Sequence, residues 1–220
     1  MSIADQYYQT QDLIDKTLSS TLRNRSDIEL IAVSKKQSQD SIMELVNCGH
    51  KSFGENQIQE IELKWITIKE KFPDVQLSFI GSIQSRKIKK ICELCDVIHS
   101  IDREKIVNLI SELKLQGLNI PKLFLQVNIG LESQKSGIHP NDVKDFIKIS
   151  REKYQIQYEG LMCLPPEGKE PKIYFDELRN LSISNDIAKL SMGMSSDYLT
   201  ALECGSTHIR VGSSIFGERT

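Results

Sequence analysis

Ser34-Lys35-Lys36, placed directly after the apolar run Leu30-Ile31-Ala32-Val33, is the first stretch whose residue types suggest chemistry. A lysine at the end of a strand is most simply a solvated charge. It is also the residue that forms Schiff bases with carbonyl compounds. Near the other end of the chain, Ser191-Met192-Gly193 and Arg210-Val211-Gly212-Ser213 are rich in small and hydroxyl-bearing residues. Small residues let backbone N–H groups approach an anion, and serine hydroxyls add donors. Cys92 and Cys95 form a third candidate, a C-x-x-C with His99 close behind. A zinc site needs a fourth ligand, which no second C-x-x-C supplies, and the pair falls late in a helical pattern rather than after a strand. Buried helix cysteines are therefore expected there, with no metal.

Alternating strand-like and helix-like stretches must position these residues. Strands are predicted at 29–34, 51–55, 75–81, 96–101, 121–129, 156–164, 190–194 and 207–213. Helices are predicted at 38–49, from after residue 55 to about 71, at 85–95, 102–117, 139–153, from about 171 to 188, and at 195–205. Asp102 is expected to open the fourth of these helices and Gly117 to close it. An amphipathic helix carrying Ile3, Leu13, Ile14, Leu18 and Leu22 precedes the first strand. Steady β-α alternation argues for a parallel sheet, and eight units argue for closure into a (β/α)8 TIM barrel. An open doubly wound sheet is the competitor, but no G-x-G-x-x-G follows the first strand.

In such a barrel the active face lies at the C-terminal strand ends. Those ends carry Ser34-Lys35-Lys36, Gly54-Glu55-Asn56, Gly81-Ser82, His99-Ser100, Asn128, Met162-Cys163, Ser191-Met192-Gly193 and Arg210 to Ser213. Phosphate sites in these barrels are usually built by the last two loops. A lysine on the first strand facing a phosphate cradle on the last two suits a phosphorylated aldehyde. Pyridoxal 5'-phosphate (PLP) uses both features.

Composition sets the wider limits. The chain has 220 residues, 39% hydrophobic and 26% charged, with a formal net charge of -2. That is enough for one substantial globular domain, and it gives no field favouring nucleic acid or an anionic membrane. No apolar run reaches about 18 residues, and the first residues do not read as a signal peptide. Five cysteines without a secretion signal point to reduced thiols and a cytoplasmic protein.

Several stretches carry a family resemblance. "AVSK" (32–35), "FGENQIQE" (53–60), "FIGSIQSRK" (79–87), "SIDR" (100–103), "QVNIGLESQKSG" (126–137), "GLMCLPP" (160–166) and "SMGMSSDYLTALECGSTHIRVGSSIFGER" (191–219) resemble the YggS/PROSC group of PLP-binding homeostasis proteins. The resemblance implies one alanine-racemase-like barrel over residues 1–220, with residues 1–25 as an extra helix packed on it. It places the Schiff base on Lys35, leaving Lys36 as a solvent-facing charge. It implies Arg210 opposite the pyridine nitrogen. Ser191, Gly193, Ser195, Gly212 and Ser213 would bind the phosphate, Asn56 the ring oxygen or a nearby group, and Met192 the ring face. Two departures stand out: Ser78 replaces a common histidine, and Arg86 replaces a common asparagine. The latter creates a basic cluster of Arg86, Lys87, Lys89 and Lys90, expected to be a solvated helix face.

The resemblance implies a monomeric carrier or regulator of PLP and amino-acid balance, with apo-PLP enzymes as candidate recipients and no catalytic residues. A PLP-dependent amino-acid racemase is the alternative. Racemisation needs a base on each face of the ring. In two-domain racemases the second base is a tyrosine of a C-terminal β-domain, and a chain ending at Thr220 is expected to lack it. Tyr158, Tyr174 and Tyr198 lie in no motif that suggests the role.

Overall fold

The computed structural model describes residues 1–217; Glu218 and Arg219, the end of the last quoted motif, and Thr220 lie outside the described residues. Among the described residues, eight strands close into a barrel in sequence order. They are β1 (Glu29–Val33), β2 (Ser52–Glu55), β3 (Gln76–Phe79), β4 (Val97–Ile101), β5 (Lys122–Val127), β6 (Gly160–Cys163), β7 (Lys189–Met194) and β8 (His208–Val211). Every pairing is parallel, and β8 returns to β1 with Ile31 opposite Arg210. The helices are α1 (Ile3–Ser19), α2 (Gln39–Asn47), α3 (Ile58–Lys71), α4 (Ile88–Leu94), α5 (Glu104–Leu115), α6 (Val143–Tyr154), α7 (Pro171–Ser184), α8 (Tyr198–Glu203) and α9 (Ser213–Phe216). The eight-unit reading thus gives the barrel rather than the open sheet, with α1 packed on α2, α8 and α9.

Alternation along each strand sorts side chains into two layers. Leu30, Ala32, Phe53, Leu77, Ile98, Leu125 and Leu161 face outward, in one apolar layer with Ile42, Leu45, Trp65 and Phe175 of the helices. The intervening residues face inward. Val97, Phe124 and Met162 form a separate small cluster there, roofed by Leu164. Beside the apolar Ile31 the interior carries a polar set: Glu29 and His208, and Ser78, His99, Ser191 and Arg210.

Local chemistry explains where elements begin and end. Ser38 caps α2 by accepting the Ser41 N–H, and a Ser2–Asp5 capping box opens α1. Asp102 does not cap α5. That helix starts at Glu104 behind Arg103, and the nearly buried Asp102 carboxylate is paired with the Arg103 guanidinium at 2.5 Å. The helix expected to run to 188 stops at Ser184, where Asp186 turns left-handed (φ 54°) and the Ile187 N–H folds back to the Ser182 carbonyl. No helix among the described residues is long and apolar enough to cross a membrane.

Candidate functional site

A cavity of about 510 Å³ opens at the C-terminal ends of the strands. Its wall includes Val33 and Lys35 after β1, Asn56 after β2, Ile80, Gly81 and Ser82 after β3, and Leu164 after β6. Met194, Ser195 and Ser196 line it from β7, and Arg210, Gly212 and Ser213 from β8. Six of the expected site residues therefore share one wall: Lys35, Asn56, Ser195, Arg210, Gly212 and Ser213. Val33 ends β1 and Lys35 follows it in the turn to α2, while Arg210 lies on β8 and Gly212 just beyond its end. Lys36 points elsewhere and is exposed.

The other three expected residues do not reach that wall. Met192 is fully buried in the outer apolar layer. The pairing of β7 with β8 shifts register between Ser191 and Met194, and Gly193 sits at a left-handed φ of 97°. This irregularity brings Met194 rather than Met192 to the cavity. A Cβ on Gly193 would come within 2.6 Å of the Ala201 Cβ, so glycine is needed for α8 to pack there. Ser191 lies one level below the cavity floor, in the polar interior.

Arg210 organises that interior. Its guanidinium, 4% exposed, donates to Ser191 Oγ at 2.6 Å and to the Cys163 carbonyl at 2.9 Å. The same Ser191 Oγ lies 2.9 Å from His99 Nδ1. Its other ring nitrogen, Nε2, lies 3.3 Å from Ser78 Oγ, so the imidazole bridges the two serines. Burial, followed by the charges of His208 and Arg210, pushes the His99 pKa well below its ordinary value, so the ring is neutral. It stacks on Phe124 at 4.4 Å between centroids. No carboxylate pairs with Arg210 among the described residues.

Backbone donors and one orphan acceptor complete the wall. The Gly212 N–H lies 3.1 Å from Ser195 Oγ, and the Ser214 N–H 3.5 Å from the same oxygen. Asn56 Oδ1 is buried without a hydrogen-bond partner. Gly81 makes room for the Asn56 backbone: a Cβ there would sit 2.0 Å from its main-chain carbonyl oxygen. Sequence reasoning placed Gly81, Ser82 and His99 at strand ends but assigned them no role, and it missed Met194, Ser196 and Leu164. A helical-turn reading of 195–205 carried no signal for Ser196.

The remaining candidates resolve into structure. Cys92 and Cys95 are buried around the end of α4; burial raises both thiol pKa values, that of Cys92 to about 12. Two members of the basic cluster meet carboxylates at its edge, Lys89 with Glu93 (4.0 Å) and Lys90 with Glu62 (3.6 Å). Tyr158 bonds Ser150 and Tyr198 packs in the outer layer, away from the cavity.

Residues 16–220 match the family model for the alanine racemase N-terminal domain. The pyridoxal phosphate homeostasis protein of Schizosaccharomyces pombe is 37% identical over 220 residues, covering 94% of this chain and 91% of that protein. PipY of Synechococcus elongatus, solved with PLP bound, superposes with a TM-score of 0.83 at 32% identity, covering 98% of this chain and all of that one. Alanine racemase from Corynebacterium glutamicum shares the fold at a TM-score of 0.70 and 12% identity, with this chain spanning 62% of its length. The full-length identity to the homeostasis proteins, on a barrel whose strand ends gather the motif residues around one cavity, places the chain in the pyridoxal phosphate homeostasis protein family.

Proposed function

We propose that this protein binds PLP in the strand-end cavity, holds it on Lys35, and serves PLP and amino-acid homeostasis as a carrier rather than a catalyst. The observation that carries the reading is the composition of one wall. An amine, a buried guanidinium paired with no carboxylate among the described residues, and a cluster of N–H and hydroxyl donors face the same space of about 510 Å³. When bound, PLP supplies an aldehyde that condenses reversibly with an amine, and a ring that draws electrons. Lys35 supplies the amine. Ser195, Ser196, Ser213 and the N–H groups of Gly212 and Ser214 hold the phosphate. Arg210 meets the pyridine nitrogen as a donor and leaves it unprotonated, because a guanidinium does not give up its proton. Asn56 Oδ1, orphaned in the wall, accepts from the ring hydroxyl. Ser191 and His99 act one level down by fixing Arg210. Borohydride reduction of the PLP-loaded protein, followed by peptide mapping, is expected to leave the pyridoxyl group on Lys35; finding it on Lys36 overturns the assignment.

The racemase reading lacks an opposing base. Among the residues of the wall only Lys35 and Arg210 are basic, and Arg210 is a poor base. Loaded protein incubated with single enantiomers is expected to turn over well below about 1 per second, the lower end of ordinary enzyme rates. Chiral chromatography reads this directly, and turnover at that rate restores the racemase. The same reading makes the protein a cytoplasmic monomer, with its five cysteines as free thiols.

A further inference from the structure

We infer that Glu60 and Lys64 of α3, together with Glu55 at the end of β2, form a clamp that aims Lys35 into the cavity. They are positioning residues: their contacts are with the turn that carries Lys35. The inference rests on the reading of Lys35 as the PLP lysine.

Lys35 sits in the turn between β1 and α2, and the peptide groups on both sides of it are held from one place. On the strand side, the Ser34 hydroxyl donates to Glu55 Oε1 at 2.7 Å, and the Ser34 carbonyl accepts Lys64 Nζ at 3.0 Å. On the helix side, the Lys36 N–H donates to Glu60 Oε2 at 2.6 Å, and the Gln37 carbonyl lies 3.4 Å from Lys64 Nζ. Lys64 joins the two sides by bridging Glu55 at 2.7 Å and Glu60 at 2.8 Å. Trp65 Nε1 adds a third donor to Glu55 Oε1 at 3.2 Å.

The clamp explains a backbone anomaly. Lys36 lies at φ 61°, a left-handed conformation that costs an ordinary residue about 1–2 kcal/mol. The Glu60 carboxylate stabilises that conformation by taking the Lys36 N–H. Burial tends to raise the Glu60 pKa, but the Lys64 ammonium and the Lys36 N–H outweigh it, so the carboxylate stays ionised. The reversal at Lys36 sends two consecutive lysines in different directions, Lys35 into the cavity and Lys36 to solvent. Stability alone gives little reason for this arrangement. Lys64 is 5% exposed and Glu55 not at all. Buried ion pairs of this kind are often no more stabilising than apolar residues of the same shape. Aiming an amine is a different matter, because a misplacement of about 1 Å can cost about 10²-fold in a bond-forming step.

The test compares two ligands. PLP reports both the cavity and the amine; 4'-deoxypyridoxine 5'-phosphate has the same ring and phosphate but no aldehyde, and reports the cavity alone. In Glu60→Leu the PLP affinity is expected to fall at least about tenfold, while the deoxy ligand changes by less than about twofold. Glu60→Gln keeps an acceptor for the Lys36 N–H and is expected to recover most of the PLP affinity. Lys64→Met strands the Glu55 carboxylate, so the double variant Glu55→Gln/Lys64→Met, which removes both charges, is measured beside it and should follow Glu60→Leu. Equal losses for both ligands mean general damage to the cavity and overturn the clamp, as does unchanged PLP affinity. If the wild type itself binds both ligands equally, the Lys35 reading fails first and the clamp falls with it.

Discussion

Lys35→Ala protein is expected to emerge from purification without bound PLP and to bind it at least about 100-fold more weakly than the wild type, a loss of roughly 3 kcal/mol. The side chain is half-buried on the cavity wall. What disappears is the reversible bond to the aldehyde. That bond matters for a carrier in two ways. Free PLP is attacked by amines throughout the cell, so a carrier must shield it. A carrier must also let go, and a lysine that holds an aldehyde reversibly yields it to a competing amine without passing through the free aldehyde. The cavity suits such exchange because it opens at the strand ends to the surface, where Ser82, Ser196 and Ser213 are exposed. An enzyme gains from closing that face to exclude water. Loaded wild-type protein is therefore expected to restore activity to an apo-PLP enzyme, whereas Lys35→Ala mixed with the same PLP should do no better than buffer containing it. In a strain lacking the gene, wild type should restore vitamin B6 and amino-acid pools. Rescue by Lys35→Ala equal to wild type removes the Lys35 bond from the biological function.

How far the sequence announced this site depends on the element. Arg210 and Gly212 were legible from their spacing at the end of β8, whereas Lys35 was legible through the "AVSK" resemblance, since alternation could not choose it over Lys36; all three line the one cavity. β7 was not legible, because its register shift and the left-handed Gly193 break the period of two. A reader counting from Ser191 puts Met192 near the ring, and the bulge delivers Met194. The interior chain of Arg210, Ser191, His99 and Ser78 was invisible for another reason. Its members lie on four different strands and meet only through barrel closure, a long-range fact that no local pattern encodes. Ser78 illustrates this. As a departure from the family pattern it put the third strand in doubt, yet its hydroxyl lies within reach of His99 Nε2. The clamp on Lys35 was hidden in the same way, since Glu60 and Lys64 read as one more i,i+4 pair on a helix until α3 is laid against the turn. Asp102 failed as a predicted cap because a better partner, Arg103, stands beside it.

Arg210→Met separates binding from stability, with opposite expected signs. The guanidinium is buried, and among the described residues its hydrogen bonds go to neutral groups, the Ser191 hydroxyl and the Cys163 carbonyl, with the Asp197 charge acting from farther off. Its five N–H donors exceed the two bonds these groups provide, so it awaits an acceptor from the cavity it lines. Burial without a carboxylate is costly, and burial lowers its pKa from the ordinary arginine value. Methionine fills much of the same volume and carries no charge. The ligand-free Arg210→Met protein should therefore melt no lower than wild type by more than a few degrees. PLP affinity should fall about 10- to 100-fold, the loss of a charge-assisted hydrogen bond of about 1.5–3 kcal/mol. Arg210→Glu behaves differently. A carboxylate there faces the Cys163 carbonyl with an acceptor instead of a donor, which destabilises the ligand-free protein. Opposite a pyridine nitrogen, it favours the protonated ring and alters the absorption spectrum of the bound cofactor. Calorimetric melting of the ligand-free variants, with PLP titrations followed by absorbance, measures both effects. If Arg210→Met binds PLP within about twofold of wild type and Arg210→Glu leaves the spectrum unchanged, Arg210 is a structural strut of the barrel interior and the ring nitrogen lies elsewhere.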